Sequence, residues 1–337
     1  MVQLLGPSER DRARAFIEAE GLAYEDGFDD LVGAYERGVL VGVGARSGGV
    51  LKMIAIAPSH QGGAALGQIV TELVRLGTVA GRDAFFVFTR PDHVPSFEAL
   101  GFALLASQRR AALLELGDGL RRWLAASRPL VREGENGAVV VNCNPFTRGH
   151  RHLIEEASRR VEALYVFVVR EDRSAFPFAA RRRLVEEGTA DLRNVHVLDT
   201  SHYAVSAITF PAYFLKQTDD VAAIQMELDV RLFGRHVAPF FHVRRRFIGS
   251  EPFCATTRAY NETMRRVLPS LGVEPIEVER LGASGEAISA SRVRDALRSG
   301  EVGRLEALVP PTTLRYLRSP DAAEVRARLA ARQERHA

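Results

Sequence analysis

The stretch Val139-Val140-Val141-Asn142-Cys143-Asn144-Pro145-Phe146-Thr147-Arg148-Gly149-His150 decides how the chain is read. Three β-branched residues in a row suit a buried strand, and Asn and Pro cannot continue a central one. The next segment, Arg151 to Val161, sets Leu153, Ile154, Ala157 and Val161 on one helical face. Leu164-Tyr165-Val166-Phe167-Val168-Val169 is a second apolar strand. Strand, turn, helix and strand make the βαβ unit of a parallel sheet. The turn delivers Gly149 and His150 to the first turn of a helix at a strand's carboxyl end. Free backbone N–H groups and the helix dipole attract phosphate there. Gly149 admits a ligand close to the backbone, while His150 and Thr147 can donate to phosphate oxygens.

A second motif lies about 140 residues on, Gly285-Glu286-Ala287-Ile288-Ser289-Ala290-Ser291-Arg292-Val293-Arg294. Ser289 suits a helix N-cap and Gly300 the position just past the helix end. Ser291 and Arg294, three residues apart, share a helical face, so a forked cation and a hydroxyl can meet one anion. Between the motifs, helices are expected at 179–187, 219–236 and 256–268, and strands at 195–198, 241–249 and 276–278. The loop 170–177 falls at a strand's carboxyl end, the edge where open α/β sheets bind ligands.

The Thr-x-Gly-His turn and the Ile-Ser-x-Ser-x-x-Arg segment resemble the two signatures of the nucleotidyltransferase α/β-phosphodiesterase superfamily, whose members attack the α-phosphate of ATP and release pyrophosphate. Further stretches narrow the resemblance: Thr209-Phe210-Pro211-Ala212-Tyr213-Phe214-Leu215-Lys216, Gly249-x-Glu251-Pro252 and Tyr260-Asn261. With the two motifs they look like the citrate (pro-3S)-lyase ligase family over residues 1–318, most strongly from 137 onward. Cys143 departs from that family's usual Ala. The resemblance implies an AMP-forming acid–thiol ligase. ATP and acetate give acetyl-AMP and pyrophosphate. The acetyl group then passes to the thiol of the phosphoribosyl-dephospho-CoA arm on the acyl-carrier subunit of citrate lyase. His150, Thr147 and Arg294 are the implied catalytic residues. Asn142, Asn144, Pro145, Phe146, Gly149, Lys216, Gly249, Glu251, Ile288, Ser289 and Ser291 are the implied ATP-binding ones. Lys216 is either a further phosphate contact or a helix-edge lysine; Glu251 either meets ribose or adenine or caps a turn. Mg²⁺ is expected to ride on the phosphates with few protein ligands, and no tightly bound organic cofactor is expected. The acetate ligase of malonate decarboxylase and a simple pantetheine-phosphate adenylyltransferase stay open as alternatives.

The first 117 residues read differently. A helix over 8–20 with Ser8 as N-cap precedes strands at 38–45 and 50–57, joined by the Ser47-Gly48-Gly49 turn. Then come a helix carrying Ile69, Val70, Leu73, Val74 and Leu76, a strand over 84–89, and a short helix over 94–100 ending at Gly101-Phe102. This order resembles a GNAT-like acetyltransferase domain. The resemblance makes Gln61, Gly62 and Gly63 a loop for a pantetheine or coenzyme-A type arm, although Ala64 and Leu66 stand where small glycine-like residues are usual. The expected fold class is therefore α/β, with a GNAT-like α+β domain at 1–117 and a linker at 118–136. A Rossmann-like parallel-sheet nucleotidyltransferase domain follows at 137–318, and a helical or frayed tail at 319–337.

Bulk composition fits this picture. The 337 residues are 46% hydrophobic and 26% charged, ordinary for globular domains, and long enough for two cores. Net charge is +3, and apart from Lys52 and Lys216 the basic residues are arginines. The triplets Arg181-Arg182-Arg183 and Arg244-Arg245-Arg246 read as a solvated helix face and a strand end, which argues against nucleic-acid binding. Neither a signal-peptide core nor an apolar run of about 18 residues is evident, so a cytoplasmic location and no membrane partner are expected. Two cysteines fit a reducing compartment, with Cys143 a small buried filler.

Overall fold

The computed structural model describes all residues except 1, 5, 171–173, 205–212, 216–219, 252–253, 284–285 and 334–337. The chain forms two compact units, Met1–Ala126 with Val205–Arg235, and Ser127–Ala204 with His236–Ala337.

The first unit opens with β1 (Val2–Gln3) and α1 (Pro7–Ala19). Ser8, expected as the cap, lies inside this helix; Gly6 is the N-cap, and its N–H donates to the Glu9 carboxylate at 2.9 Å. Pro7 then falls at the first helical position, where its missing N–H costs nothing. There follow β2 (Asp30–Glu36), β3 (Val39–Ser47), β4 (Val50–Ile56), α2 (Ala65–Val79), β5 (Phe85–Thr89), α3 (Val94–Glu98), β6 (Ala103–Ser107) and β7 (Ala112–Leu116). The sheet order is β1-β2-β3-β4-β5-β7-β6. All neighbours are antiparallel except β4 and β5, which pair only through Val50↔Phe86 and Leu51↔Val87. Ile69, Val70 and Leu73 of α2 pack into the sheet's core. Gly42 and Gly44 of β3 permit that approach: a Cβ at either would meet Ile69 at 2.8 or 2.5 Å. This is the GNAT-like α+β unit that the sequence implied, with strands β1, β2, β6 and β7 in addition to those expected.

Next, α4 (Gly119–Ser127) leads to β8 (Asn136–Val141), α5 (Arg148–Ser158), β9 (Leu164–Val168), α6 (Phe178–Gly188) and β10 (Val195–Asp199). The chain then returns to the first unit for α7 (Val221–Leu232). Back in the second unit come α8 (Ala238–Phe240), β11 (Val243–Gly249), α9 (Ala255–Val267), β12 (Glu274–Val278), the short pair β13 (Gly282–Ala283) and β14 (Glu286–Ala287), and α10 (Ala290–Ser299). Three helices close the unit, α11 (Leu305–Leu308), α12 (Pro311–Arg318) and α13 (Ala323–Gln333). Five of its strands form one all-parallel sheet in the order β10-β9-β8-β11-β12, and β13 and β14 make a separate antiparallel pair. The order reverses between β8 and β11, so a crevice opens outside the carboxyl ends of these two strands.

The units differ from the sequence-based boundaries in two ways. The 118–136 linker contains a helix and the start of β8. Residues 205–235 cluster with the first unit rather than with the parallel sheet. Of the two forms expected for the tail, its described part takes the helical one, and Ala322, Val325 and Leu329 are buried in the same core as Val293 and Leu317. Their spacing at one helical face is the amphipathic signal. Leu329→Ala should therefore cost about 2–3 kcal/mol, read as a lower urea midpoint; an unchanged midpoint would put α13 outside the core. Among the described residues no helix is long and apolar enough to cross a membrane.

Candidate active site

At the strand-order reversal a cavity of about 1040 Å³ opens in the second unit. Its lining includes Asn142, Thr147, Gly149 and His150 from the β8–α5 turn, Gly249 and Glu251 from the end of β11, and Ile288, Ser289 and Ser291 at the start of α10. The two motifs thus share one cleft, and they touch. A Cβ on Gly149 would stand 3.1 Å from the Ile288 carbonyl oxygen, so a side chain there would press the two turns apart.

Thr147 is the N-cap of α5, its Oγ1 accepting the His150 N–H at 3.3 Å. The Thr147 N–H in turn donates to His150 Nδ1 at 3.1 Å, with Thr147 Oγ1 2.9 Å from the same nitrogen. A backbone N–H can only donate, so Nδ1 must accept and the imidazole proton sits on Nε2. The ring stacks near Phe146, 6.1 Å between centroids and 15° between planes. Burial, and secondarily the Arg280 charge, push its pKa down to about 4. At neutral pH His150 is thus an uncharged Nε2–H donor held in one orientation.

The second motif folds as the sequence implied. Ser289 caps α10, its hydroxyl accepting the Arg292 N–H at 3.3 Å, and Gly300 closes the helix in the left-handed region with φ of 72°. Arg294 Nη2 donates to Ser291 Oγ at 3.0 Å, and Nη1 donates to the Asn144 carbonyl at 2.6 Å. Arg294 therefore ties the helix to the first motif's turn and is not among the residues lining the cavity. Pro145 and Phe146 are buried beneath the turn. Asn144 Oδ1 accepts the Phe176 N–H at 3.0 Å. Cys143 is buried with φ of 52°, and burial pushes its thiol well above the usual range, as a filler rather than a nucleophile.

Glu251 lines the cleft, yet both of its oxygens are engaged. Oε1 accepts the Cys254 N–H at 3.0 Å, next to the start of α9, and Oε2 is ion-paired with Arg280. The turn-capping expectation thus describes part of what it does. Lys216, Pro252 and Gly285 lie outside the described residues, as does most of the 209–216 stretch. In the first unit, Gln61 Nε2 donates to the Ile56 carbonyl at 3.2 Å, and Gly62 has φ of 77°. Gln61 and Gly62, with Ile54, Leu66 and Thr89, line a separate cavity of about 400 Å³; Gly63 does not.

Sequence reasoning missed three arginines. Arg246 and Arg280 line the cleft. Arg181, read as part of a solvated triplet, is fully buried. Its Nη1 lies 2.9 Å from the Asn142 carbonyl, 2.8 Å from Asn142 Oδ1 and 2.9 Å from the Val169 carbonyl, and its Nε donates to the Phe176 carbonyl at 3.1 Å. The signal was present: Arg181 occupies the apolar stripe of α6 with Leu184 and Val185, at i, i+3 and i+4. Its neighbours Arg182 and Arg183 do face solvent and pair with Glu186 and Glu187.

Among the described residues no cluster of three His, Cys, Asp or Glu side chains could hold a metal ion. The cleft offers cations, helix N-termini and hydroxyls, a donor set suited to phosphate and to an ion carried on phosphate.

Comparison with known proteins agrees with this geometry. Residues 136–317 match the family described as Citrate lyase ligase C-terminal domain. A citrate (pro-3S)-lyase ligase of Klebsiella pneumoniae is 38% identical over 324 residues, covering 94% of this chain and 95% of that protein. The enzyme of the same name from Escherichia coli K12 is 35% identical over 288 residues, 83% of this chain and 82% of that one. The one from Haemophilus influenzae is 33% identical over 315 residues, 90% and 93% of the two chains. With both units inside the matched span and the two motifs meeting in one cleft, the chain belongs to the citrate lyase ligase family and is an enzyme of that type.

Proposed function

We propose that the enzyme condenses acetate with ATP to acetyl-AMP and pyrophosphate, then acylates the thiol of the phosphoribosyl-dephospho-CoA arm on the citrate lyase acyl-carrier subunit. The observation that carries this reading is the shared cleft, where the N-termini of α5 and α10 converge beside a neutral His150. In the first step an acetate oxygen forms a bond to the α-phosphorus while the bond from that phosphorus to the β-phosphate bridge breaks, and pyrophosphate leaves. Acetate is hindered chiefly by the triphosphate's negative charge, so the protein's task is to neutralise and orient it. His150 Nε2–H donates to an oxygen of the reacting phosphate, Thr147 holds that ring in place through Nδ1, and Gly149 admits the phosphate to the backbone. Ser289 and Ser291 meet the β- and γ-phosphates at the start of α10. Arg294 holds that helix against the Asn144 turn and adds its charge from below. Mg²⁺, bound mainly through the phosphates, supplies further charge neutralisation. In the second step the carrier's thiolate attacks the acetyl carbonyl and AMP departs. The cavity beside Gln61 and Gly62 is the place for part of the carrier's pantetheine arm.

The test uses the full chain with ATP, labelled acetate and, in separate reactions, the carrier proteins of citrate lyase and malonate decarboxylase, and phosphopantetheine. Acetate-dependent pyrophosphate release and label on the citrate lyase carrier are expected. Acetate-independent pyrophosphate release with phosphopantetheine would replace this reading by a dinucleotide-forming one, and label only on the other carrier would change the partner.

A further inference from the structure

Arg280 follows β12 and lines the cleft, but neither motif includes it. Its position is fixed twice. The Arg280 N–H donates to Ser250 Oγ at 3.1 Å, and one terminal guanidinium nitrogen, Nη2, is ion-paired with Glu251 Oε2. Glu251 is itself anchored, since its side chain is only 5% exposed and its other oxygen accepts the Cys254 N–H. A guanidinium carries five N–H donors in a rigid fork, so a carboxylate that takes one nitrogen orients the others. The remaining nitrogens, Nε and Nη1, have no hydrogen-bond partner among the described residues, and the Arg280 side chain is 29% exposed. The charge also reaches His150, where it is the second cause of the lowered imidazole pKa. A cation held near the residue that faces the reacting phosphate, with further donors on its fork, is suited to form part of an anion site.

We infer that Arg280, oriented by Glu251, is a catalytic residue that donates to a phosphate oxygen of the bound nucleotide alongside His150. The inference deepens the nucleotide-binding part of the proposed function and rests on it, but not on acetate or on the carrier. It also separates the roles of two neighbours: Arg280 touches the ligand, and Glu251 is a positioning residue acting through it. A lysine at 280 would keep the charge but lose the fork, because an ammonium cannot both pair with Glu251 and present a planar pair of donors.

The experiment is equilibrium binding to the full-length protein, with ATP, inorganic tripolyphosphate and adenosine as three separate ligands, for wild type, Arg280→Gln, Arg280→Lys and Glu251→Gln. Loss of a charge-assisted contact predicts ATP and tripolyphosphate binding weakened about 10- to 100-fold in Arg280→Gln, with adenosine binding within about twofold of wild type. Arg280→Lys should fall between wild type and Arg280→Gln, and Glu251→Gln should weaken ATP less than Arg280→Gln does. Three results would overturn the inference: unchanged ATP binding in Arg280→Gln, equal losses for adenosine and ATP, which mark a structural role, or no binding of ATP or tripolyphosphate by wild type. If these binding shifts appear while wild type shows no acetate-dependent pyrophosphate release, the inference stands and the choice of acid substrate fails.

Discussion

His150→Ala lowers acetate-dependent pyrophosphate release by about 10²- to 10³-fold, the loss typical when one oriented donor to a developing oxyanion is removed. The variant should keep nearly all of its stability, because Thr147 still caps α5 through its own hydroxyl and the position is only partly covered. What disappears is a donor whose proton is fixed on Nε2 by the Thr147 N–H on the other nitrogen. The pH behaviour follows from the same geometry. A base whose pKa falls from its ordinary 6.5 to about 4 on folding stays neutral across that interval while the unfolded chain takes up a proton. Its contribution to stability is therefore intact above pH 6.5 and is lost progressively as pH drops toward 4. In the free enzyme no inflection from His150 should appear near pH 6.5, and nitrogen chemical shifts at pH 6 should report a proton on Nε2 alone. Bound phosphate, being anionic, would raise the value. Near-normal pyrophosphate release from His150→Ala, or an imidazolium at pH 6 in the free enzyme, would remove His150 from this role.

Much of this site was legible because its parts are local. The strand that stops at Asn142, the cap at Thr147 and the cap at Ser289 each follow from a few consecutive residues whose conformational preferences agree. The meeting of the two turns was implied only by the family resemblance, and the structure supplies its cause. Parallel strands put their carboxyl ends on one edge, and the reversal of order between β8 and β11 opens that edge to a ligand. What could not be read is non-local. Arg280 follows an ordinary strand, and nothing in its neighbourhood announces an ion pair with Glu251, 29 residues earlier. The return of 205–235 to the first unit is likewise invisible to periodicity. An aromatic pair such as Tyr213-Phe214 shows that it needs a core but not which one. In the structure Tyr213 donates its hydroxyl to the Phe88 carbonyl at 3.1 Å, inside the GNAT-like unit. Cutting the chain after residue 117 would accordingly strip the surroundings from 205–235, so the division of labour between units is better tested with point variants in the whole protein.

Arg181→Met should destabilise the second unit by about 3–5 kcal/mol and weaken nucleotide binding with it. Methionine matches the aliphatic stem and fills most of the volume, so the cost is polar rather than a void. Wild-type Arg181 gathers the carbonyls of Asn142, Val169 and Phe176 and the side-chain oxygen of Asn142 around one guanidinium. These oxygens come from just past the ends of β8 and β9, which pair with each other up to Val141 and Val168, and from Phe176 ahead of α6, which that ladder does not reach. Without the guanidinium the buried Phe176 carbonyl and the part-buried Asn142 and Val169 oxygens lose this donor, and the turn that presents Thr147 and His150 loses its underside. In urea denaturation the midpoint should fall while the slope stays near the wild-type value, since the surface exposed on unfolding hardly changes. The contrast with His150→Ala is diagnostic, because that variant loses rate with little change in midpoint, whereas Arg181→Met loses both. Lysine at 181 should rescue little of the stability, as its single nitrogen cannot reach oxygens that Nε and Nη1 now serve from two positions. An unfolding free energy within about 0.5 kcal/mol of wild type for Arg181→Met would mean that the turn holds its shape without this arginine.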